Sequence, residues 1–63
     1  MGFRWVLHDL KGVDLRTTEL FDSQADAEAW MGTNWARLLD EGAESVSLME
    51  SEEHIYKMGL REQ

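Results

Sequence analysis

Apolar and polar residues alternate in four short segments of this chain, two before and two after a longer segment of helical periodicity. The first segment, Phe3 to His8, directs alternate apolar side chains to one side of a strand. The second, Val13 to Thr18, follows Asp9-Leu10-Lys11-Gly12, which has aspartate first and glycine fourth, as in a type I turn. The two segments predict a β-hairpin.

Residues Ser23 to Gly42 have the pattern of one amphipathic helix. Ser23 is the predicted N-cap, Asp26 stands at the acidic position of a capping box, and Gly42 is the predicted left-handed residue that ends the helix. The apolar stripe comprises Ala27, Trp30, Met31, Trp35 and Leu38, with Leu39 at its edge. The polar side comprises Asp26, Ala29, Thr33, Ala36 and Asp40. We expect Trp30 and Leu38 to anchor the core.

Two helix residues do not fit this pattern. Gly32 costs about 1 kcal/mol relative to alanine in mid-helix, and either a close backbone approach or a tolerated defect would account for it. Asn34 lies inside the apolar arc. It could read a ligand, but an amide at such a position more often bonds a nearby backbone group, and we favour that interpretation.

The last two alternating segments are Ser45 to Glu50 and His54 to Met58. The intervening loop has neither glycine nor proline, so its turn type stays open. The final strand is ambiguous, because either Tyr56 and Met58 or Ile55 could face the helix. We prefer Tyr56 and Met58, which offer more apolar area.

The chain is predicted to be a single small α+β domain over residues 1–63, with a four-stranded antiparallel sheet, one helix packed on one face, and ββαββ order. Strand order within the sheet stays open. The predicted layer facing the helix comprises Phe3, Trp5, Leu7, Val13, Leu15, Val46, Leu48, Tyr56 and Met58. The predicted open face comprises Arg4, Val6, His8, Asp14, Arg16, Thr18, Ser45, Ser47, Met49, Ile55 and Lys57.

Length and composition bear on stability and chemistry. A chain of 63 residues is below the size at which a single core is comfortably sufficient. It has no cysteine, which excludes disulfides, thiolate metal ligands and a thiol nucleophile. An aromatic core or self-association must therefore supply the missing stabilisation.

The formal net charge is −7, and the charges balance from Met1 to Phe21, so the excess acid lies from Asp22 onward. The predicted open face carries three of the six Lys and Arg residues and one acid. We therefore expect a dipolar molecule with an acidic helix side and a weakly basic open face.

No catalytic or metal-binding pattern is present. A nucleophile–base pair would have to use serine or threonine with His8 or His54, and neither histidine has an orienting motif beside it. Both histidines are expected to be exposed and without a role. Neither His8 with Asp9 nor the Glu52-Glu53-His54 run has the spacing of a metal site. We expect no enzymatic activity and no cofactor.

The leading interpretation is a protein-interaction domain that forms a homodimer through its open face or an edge strand. The candidate interaction face comprises Arg4, Val6, His8, Arg16, Met49, Ile55 and Lys57. The alternative is a nucleic-acid-associated regulatory protein that uses Arg4, Arg16 and Lys57. Nucleic acid is disfavoured by the acidic net charge and by the lack of aromatic residues on the predicted open face.

No apolar run approaches the ~20 residues of a membrane span, and no signal-peptide pattern opens the chain. A cytoplasmic protein is expected.

Several segments carry a resemblance to a known group of proteins. They are the run Phe21 to Trp30, the later residues Trp35, Leu38, Gly42, Val46 and Leu48, the opening Phe3-Arg4-Trp5 and the closing Tyr56-Lys57-Met58. Together they resemble short uncharacterised actinobacterial proteins. The resemblance implies a free-standing bacterial cytoplasmic domain and brings no activity, cofactor or functional residue with it.

Overall fold

The computed structural model describes residues 2–60. Its elements are β1 (Phe3–His8), β2 (Asp14–Thr17), α1 (Gln24–Asp40), β3 (Ser45–Glu50) and β4 (Glu53–Gly59). The four strands form one antiparallel sheet in the order β2-β1-β3-β4, so β1 and β3 are central and β2 and β4 form the edges. The predicted α+β fold and its ββαββ order are confirmed.

The turn between β1 and β2 is built around Asp9. The amide of Gly12 donates to the Asp9 carbonyl over 3.0 Å, and Oδ1 of Asp9 accepts from the amides of Lys11 and Val13, each over 2.9 Å. Gly12 has φ +84°, in the left-handed region that glycine enters without a steric cost. A type I turn closed by a left-handed glycine is a common three-residue hairpin loop, so the predicted hairpin turn is confirmed.

Both predicted ends of α1 are also confirmed. Oγ of Ser23 accepts from the amide of Asp26 over 3.1 Å, which satisfies one free donor of the first turn. At the other end Gly42 has φ +107°, and the amides of Gly42 and Ala43 each donate over 3.0 Å to carbonyls of the last helical turn. This pair of bonds is a Schellman motif.

The core lies between α1 and the sheet and is organised around Trp5. Its fully or almost fully buried apolar members are Trp5, Leu7, Ala27, Met31, Leu38, Ala43, Val46, Leu48 and Leu60. The Trp5 indole N–H donates to the Ala27 carbonyl over 2.9 Å, which ties β1 to the helix. Leu38 is fully buried, as predicted. Trp30 packs against the core as predicted, but it is only half-buried and lies beside Phe21, with the ring centroids 5.6 Å apart, so it is a weaker anchor than Leu38.

The alternation predicted for β2 holds at Asp14, which lies on the open face opposite His8, but it is wrong from Leu15 onward. Leu7 of β1 lies opposite Arg16, and His8 lies opposite Asp14, so Leu15 is the extra residue of a β-bulge. Because residues directly opposite each other in an antiparallel pair share a face, Arg16 lies on the helix side. Leu15 is 46% exposed, and Val13, which precedes the strand, is 58% exposed; neither belongs to the core.

The preference for Tyr56 and Met58 in the last strand is confirmed. Both pack against the core, and the Tyr56 ring meets Trp5 edge to face with centroids 6.0 Å apart. Ile55 departs from the predicted alternation, because Leu48 lies opposite Tyr56 and Met49 opposite His54, so that Ile55 is the extra residue of a second bulge. Ile55 is half-buried and packs against the core.

The two unusual helix residues have different explanations. Nδ2 of Asn34 donates to the Trp30 carbonyl over 2.8 Å, so the structural interpretation of Asn34 is confirmed. Gly32 is exposed, and a Cβ built on it would meet nothing within 4 Å. A close backbone approach therefore does not account for this glycine.

Candidate functional site

The open face is the side of the sheet that α1 does not cover. Arg4 lies directly opposite Met49, and Val6 lies in one row with Ser47 and Lys57. His8 follows Val6 by two residues and shares its face. Five of the seven residues predicted for the interaction face are thus on the open face, namely Arg4, Val6, His8, Met49 and Lys57.

The other two residues of the predicted face lie elsewhere. Arg16 is on the helix side, where its Nη2 donates to Oε1 of Glu41 over 2.9 Å. Ile55 packs against the core from the β4 bulge. The bulge in β2 therefore removes one of the three cations expected on the open face. A second cation, Arg4, donates from Nη1 to the Ser51 carbonyl over 2.8 Å.

A hydrogen-bonded chain of three side chains crosses one end of the open face. Nδ1 of His8 lies 2.8 Å from Oδ1 of Asp14, and Nε2 of His8 lies 2.7 Å from Oγ of Ser47. The His8 side chain is only 12% exposed, so the expectation of an exposed histidine without a role is wrong for His8. His54 is exposed, as expected.

The hydrogen-bonded series Asp14–His8–Ser47 has the order of an acyl-transfer triad, but its surroundings do not suit that chemistry. Ser47 is 4% exposed and lies in the central strand β3, paired with Val6 on one side and Lys57 on the other. Backbone amides of a doubly paired strand are used in the two ladders, so none beside Ser47 is free to stabilise an oxyanion. These hydrogen bonds instead join β1, β2 and β3 and hold the edge strand β2 to the centre of the sheet.

Both edge strands carry features that disfavour pairing with another strand. β2 has only four residues and a bulge at Leu15, and β4 has a bulge at Ile55 and the charged residues Glu53 and Lys57. Short length, bulges and charges are the usual protection of sheet edges. A partner of either edge would therefore contact side chains more readily than the backbone.

Large apolar side chains are exposed along β2 and its two flanks. We call this surface the β2 border. Its members are Leu10 at 83% exposure, Val13 at 58%, Leu15 at 46% and Leu20 at 64%. On the open face, by comparison, Val6 and Met49 are half-buried and therefore less exposed than the residues of the β2 border. The most exposed apolar surface of residues 2–60 is thus the β2 border, which sequence periodicity had assigned partly to the core.

An apolar cleft separates α1 from the edge strand β4. It arises because α1 packs mainly over β1 and leaves the helix side of β4 partly uncovered. We call it the helix cleft; its volume is about 220 Å³, and it is lined by Trp5, Glu28, Met31, Gly32, Tyr56 and Met58. Sequence reasoning did not identify this cleft.

A hydrogen bond crosses the helix cleft. The Tyr56 hydroxyl donates to Oε2 of Glu28 over 2.9 Å, and Nε2 of Gln24 donates to the same oxygen over 3.0 Å. The bond from Gln24, followed by that from Tyr56, lowers the pKa of Glu28 below its ordinary value. Burial, followed by the hydrogen bond and charge of Glu28, raises the pKa of Tyr56 to about 12. At neutral pH the pair is a phenol bound to an ionised carboxylate.

Among residues 2–60, no three His, Cys, Asp or Glu side chains converge in a way that could hold a metal ion. No helix in the same part of the chain has both the length and the apolar composition needed to cross a bilayer.

Comparison of the chain with protein-family models, curated proteins and solved structures finds no match.

Proposed function

We propose that this protein is a non-catalytic interaction domain that associates with itself through the β2 border. The observation that carries the proposal is the exposure of four large apolar side chains along one edge of a 63-residue domain. Small domains without disulfides gain much from additional apolar burial. Exposed apolar side chains that lie along one edge can form a patch of the kind that marks association sites.

Charge supports self-association at this edge. Lys11, Asp14 and Arg16 bring both signs to the β2 border, although Asp14 is bonded to His8 and Arg16 to Glu41, whereas the rest of the chain is strongly acidic. A surface of mixed charge can be complementary to a copy of itself about a two-fold axis. Association by side chains also agrees with the bulge at Leu15, which interrupts the backbone edge.

The nucleic-acid alternative has less support. Of its three cations, Arg16 is bound to Glu41 and Arg4 donates to Ser51. The aromatic residue that could have served as a stacking platform, Tyr56, is on the helix side and bound to Glu28. Salt-dependent retention on a phosphate-rich matrix would favour this alternative and count against self-association as the main role.

The test is sedimentation velocity over a wide concentration series, together with thermal melting at each concentration. We expect a dimer whose melting temperature rises with concentration, because association stabilises the folded state by mass action. A monomer with a concentration-independent melt would contradict the proposal.

Two substitutions distinguish the possible surfaces. Leu15→Asp places a charge on the β2 border, and Val6→Glu places one on the open face. The proposal expects Leu15→Asp to weaken the dimer and Val6→Glu to leave it intact. If Val6→Glu dissociates the dimer and Leu15→Asp does not, the interface lies on the open face. The helical circular dichroism signal shows whether both variants fold.

A further inference from the structure

The helix cleft has the size of a single-residue pocket. Its volume of about 220 Å³ is below the ~300 Å³ at which small-molecule sites usually begin. Its walls are apolar and adaptable, since they include Met31, Met58 and the edge of Tyr56. Pockets that receive one large apolar side chain are the usual anchor points of protein interfaces.

Gly32 lines this pocket without a side chain. Its backbone does not require glycine, since its φ is not positive, and a Cβ there would contact nothing within 4 Å. Glycine nevertheless costs the helix about 1 kcal/mol relative to alanine. Gly32 is one of the residues that line the cleft, and a side chain at this position would begin in open space. The cost is explained if the space is needed by a residue from outside the domain.

Glu28 places a negative charge at the rim of the pocket. Its carboxylate is accessible and is fixed in orientation by Gln24 and Tyr56. The pocket therefore suits an apolar side chain that has a cation next to it.

The protein itself presents such a pair at the tip of its first hairpin. Leu10 is 83% exposed, and the next residue is the exposed Lys11. The three hydrogen bonds that Asp9 accepts hold this tip in one conformation. A rigid tip loses little entropy when it is bound.

We propose that Leu10 of a second copy fills the helix cleft, with the Lys11 ammonium of that copy against the Glu28 carboxylate. In a two-fold dimer the contact occurs twice. The inference rests on the proposed function, which it deepens by naming the surface that the β2 border meets. It also gives a role to Gly32 that packing within the domain does not.

The test measures the dimer dissociation constant by sedimentation for four variants. Gly32→Leu fills the pocket and improves helix propensity, so the fold is retained. Leu10→Ser removes the inserted side chain from an exposed position. Each should weaken the dimer about tenfold to hundredfold, since burial of one leucine is lost. Lys11→Glu and Glu28→Lys should each weaken it, and the double variant should restore affinity, because the ion pair is rebuilt in reverse.

Glu52→Lys is the matched control for Glu28→Lys. It makes the same change in net charge in an exposed turn and should leave the affinity at least as high as that of the parent. A dimer that Gly32→Leu and Leu10→Ser leave unchanged would overturn this inference while self-association stands. A monomeric parent would overturn both proposals. If the parent is a monomer and its Trp5 and Met58 NMR signals shift when a peptide containing Leu-Lys is added, the helix cleft binds another protein and not a second copy.

Discussion

The hydroxyl of Tyr56 donates a hydrogen bond to the carboxylate of Glu28 across the helix cleft, 2.9 Å from oxygen to oxygen. The link joins the uncovered edge strand β4 to the helix. It contributes to two pKa shifts of opposite direction, after the Gln24 hydrogen bond in the case of Glu28 and after burial in the case of Tyr56.

Tyrosine ionisation tests this link directly, because Tyr56 is the only tyrosine of the chain. Its folded-state pKa of about 12 lies above the ordinary value of 10. The folded state therefore holds the proton more tightly, and the stabilisation is complete below about pH 10 and is lost as the pH rises to about 12. Ultraviolet difference absorbance should show late tyrosinate formation in the parent and earlier formation in Glu28→Gln. Coincident titration curves would contradict the hydrogen bond.

The stability of the fold in acid should depend on the Glu28 carboxylate, with a pH dependence opposite to that of Tyr56. Its folded-state pKa lies below 4.5, so its contribution is present above that pH and is lost as the pH falls. Urea unfolding of the parent and of Glu28→Gln should therefore differ most near neutral pH and converge in acid. A difference that grows toward low pH would show that the carboxylate is not stabilised in the folded state.

Trp5 should contribute more to stability than Trp30. Trp5→Phe removes volume from the centre of the core and leaves the Ala27 carbonyl without its indole donor, at a cost of about 2–3 kcal/mol. Trp30→Phe changes a half-buried position and should cost less than about 1 kcal/mol. Equilibrium urea unfolding measures both, and a larger loss for Trp30 would mean that the helix packs with a different face.

Substitution of His8 and of His54 by alanine should affect stability to different extents, because the His8 side chain is hydrogen-bonded within the sheet and that of His54 is exposed. His8→Ala leaves the buried Ser47 hydroxyl without its partner and releases Asp14, which should cost about 1–3 kcal/mol. His54→Ala alters an exposed side chain and should change stability by less than about 0.5 kcal/mol. Amide exchange in β2 should accelerate in His8→Ala. Unchanged β2 protection would show that the side-chain chain does not hold this strand.

Substitution of two glycines by alanine should have opposite effects. Gly32→Ala lies in mid-helix without a clash and should stabilise the fold by about 1 kcal/mol. Gly42→Ala forces a side chain into φ +107° and should destabilise it by about 1 kcal/mol or more, although its Cβ also meets nothing within 4 Å. Thermal melts give both signs, and the same sign for both would contradict the backbone argument.

The elements that sequence analysis located correctly are those with local causes. Ser23, Gly12 and Gly42 act on amides and carbonyls within a few residues of themselves, so their chemistry is visible in the sequence. The alternation of β1 and β3 was also reliable, because both strands are central and one face of each is buried.

The errors lie where tertiary structure overrides the pattern. A single extra residue, Leu15, reverses the side on which Arg16 lies, and periodicity cannot show a bulge in advance. The contact between His8 and Ser47 joins residues 39 positions apart. The helix cleft depends on α1 lying over β1, which requires a strand order that the sequence left open.

The bulges at Leu15 and Ile55 also limit how this molecule can assemble. Growth of a cross-β fibril requires a border that offers the same uninterrupted repeat to every arriving strand. Here the β2 edge loses its repeat after two residue pairs and the β4 edge after four, which disfavours the addition of further strands. An exposed leucine surface on such a domain can therefore serve stoichiometric assembly with little danger of fibril nucleation.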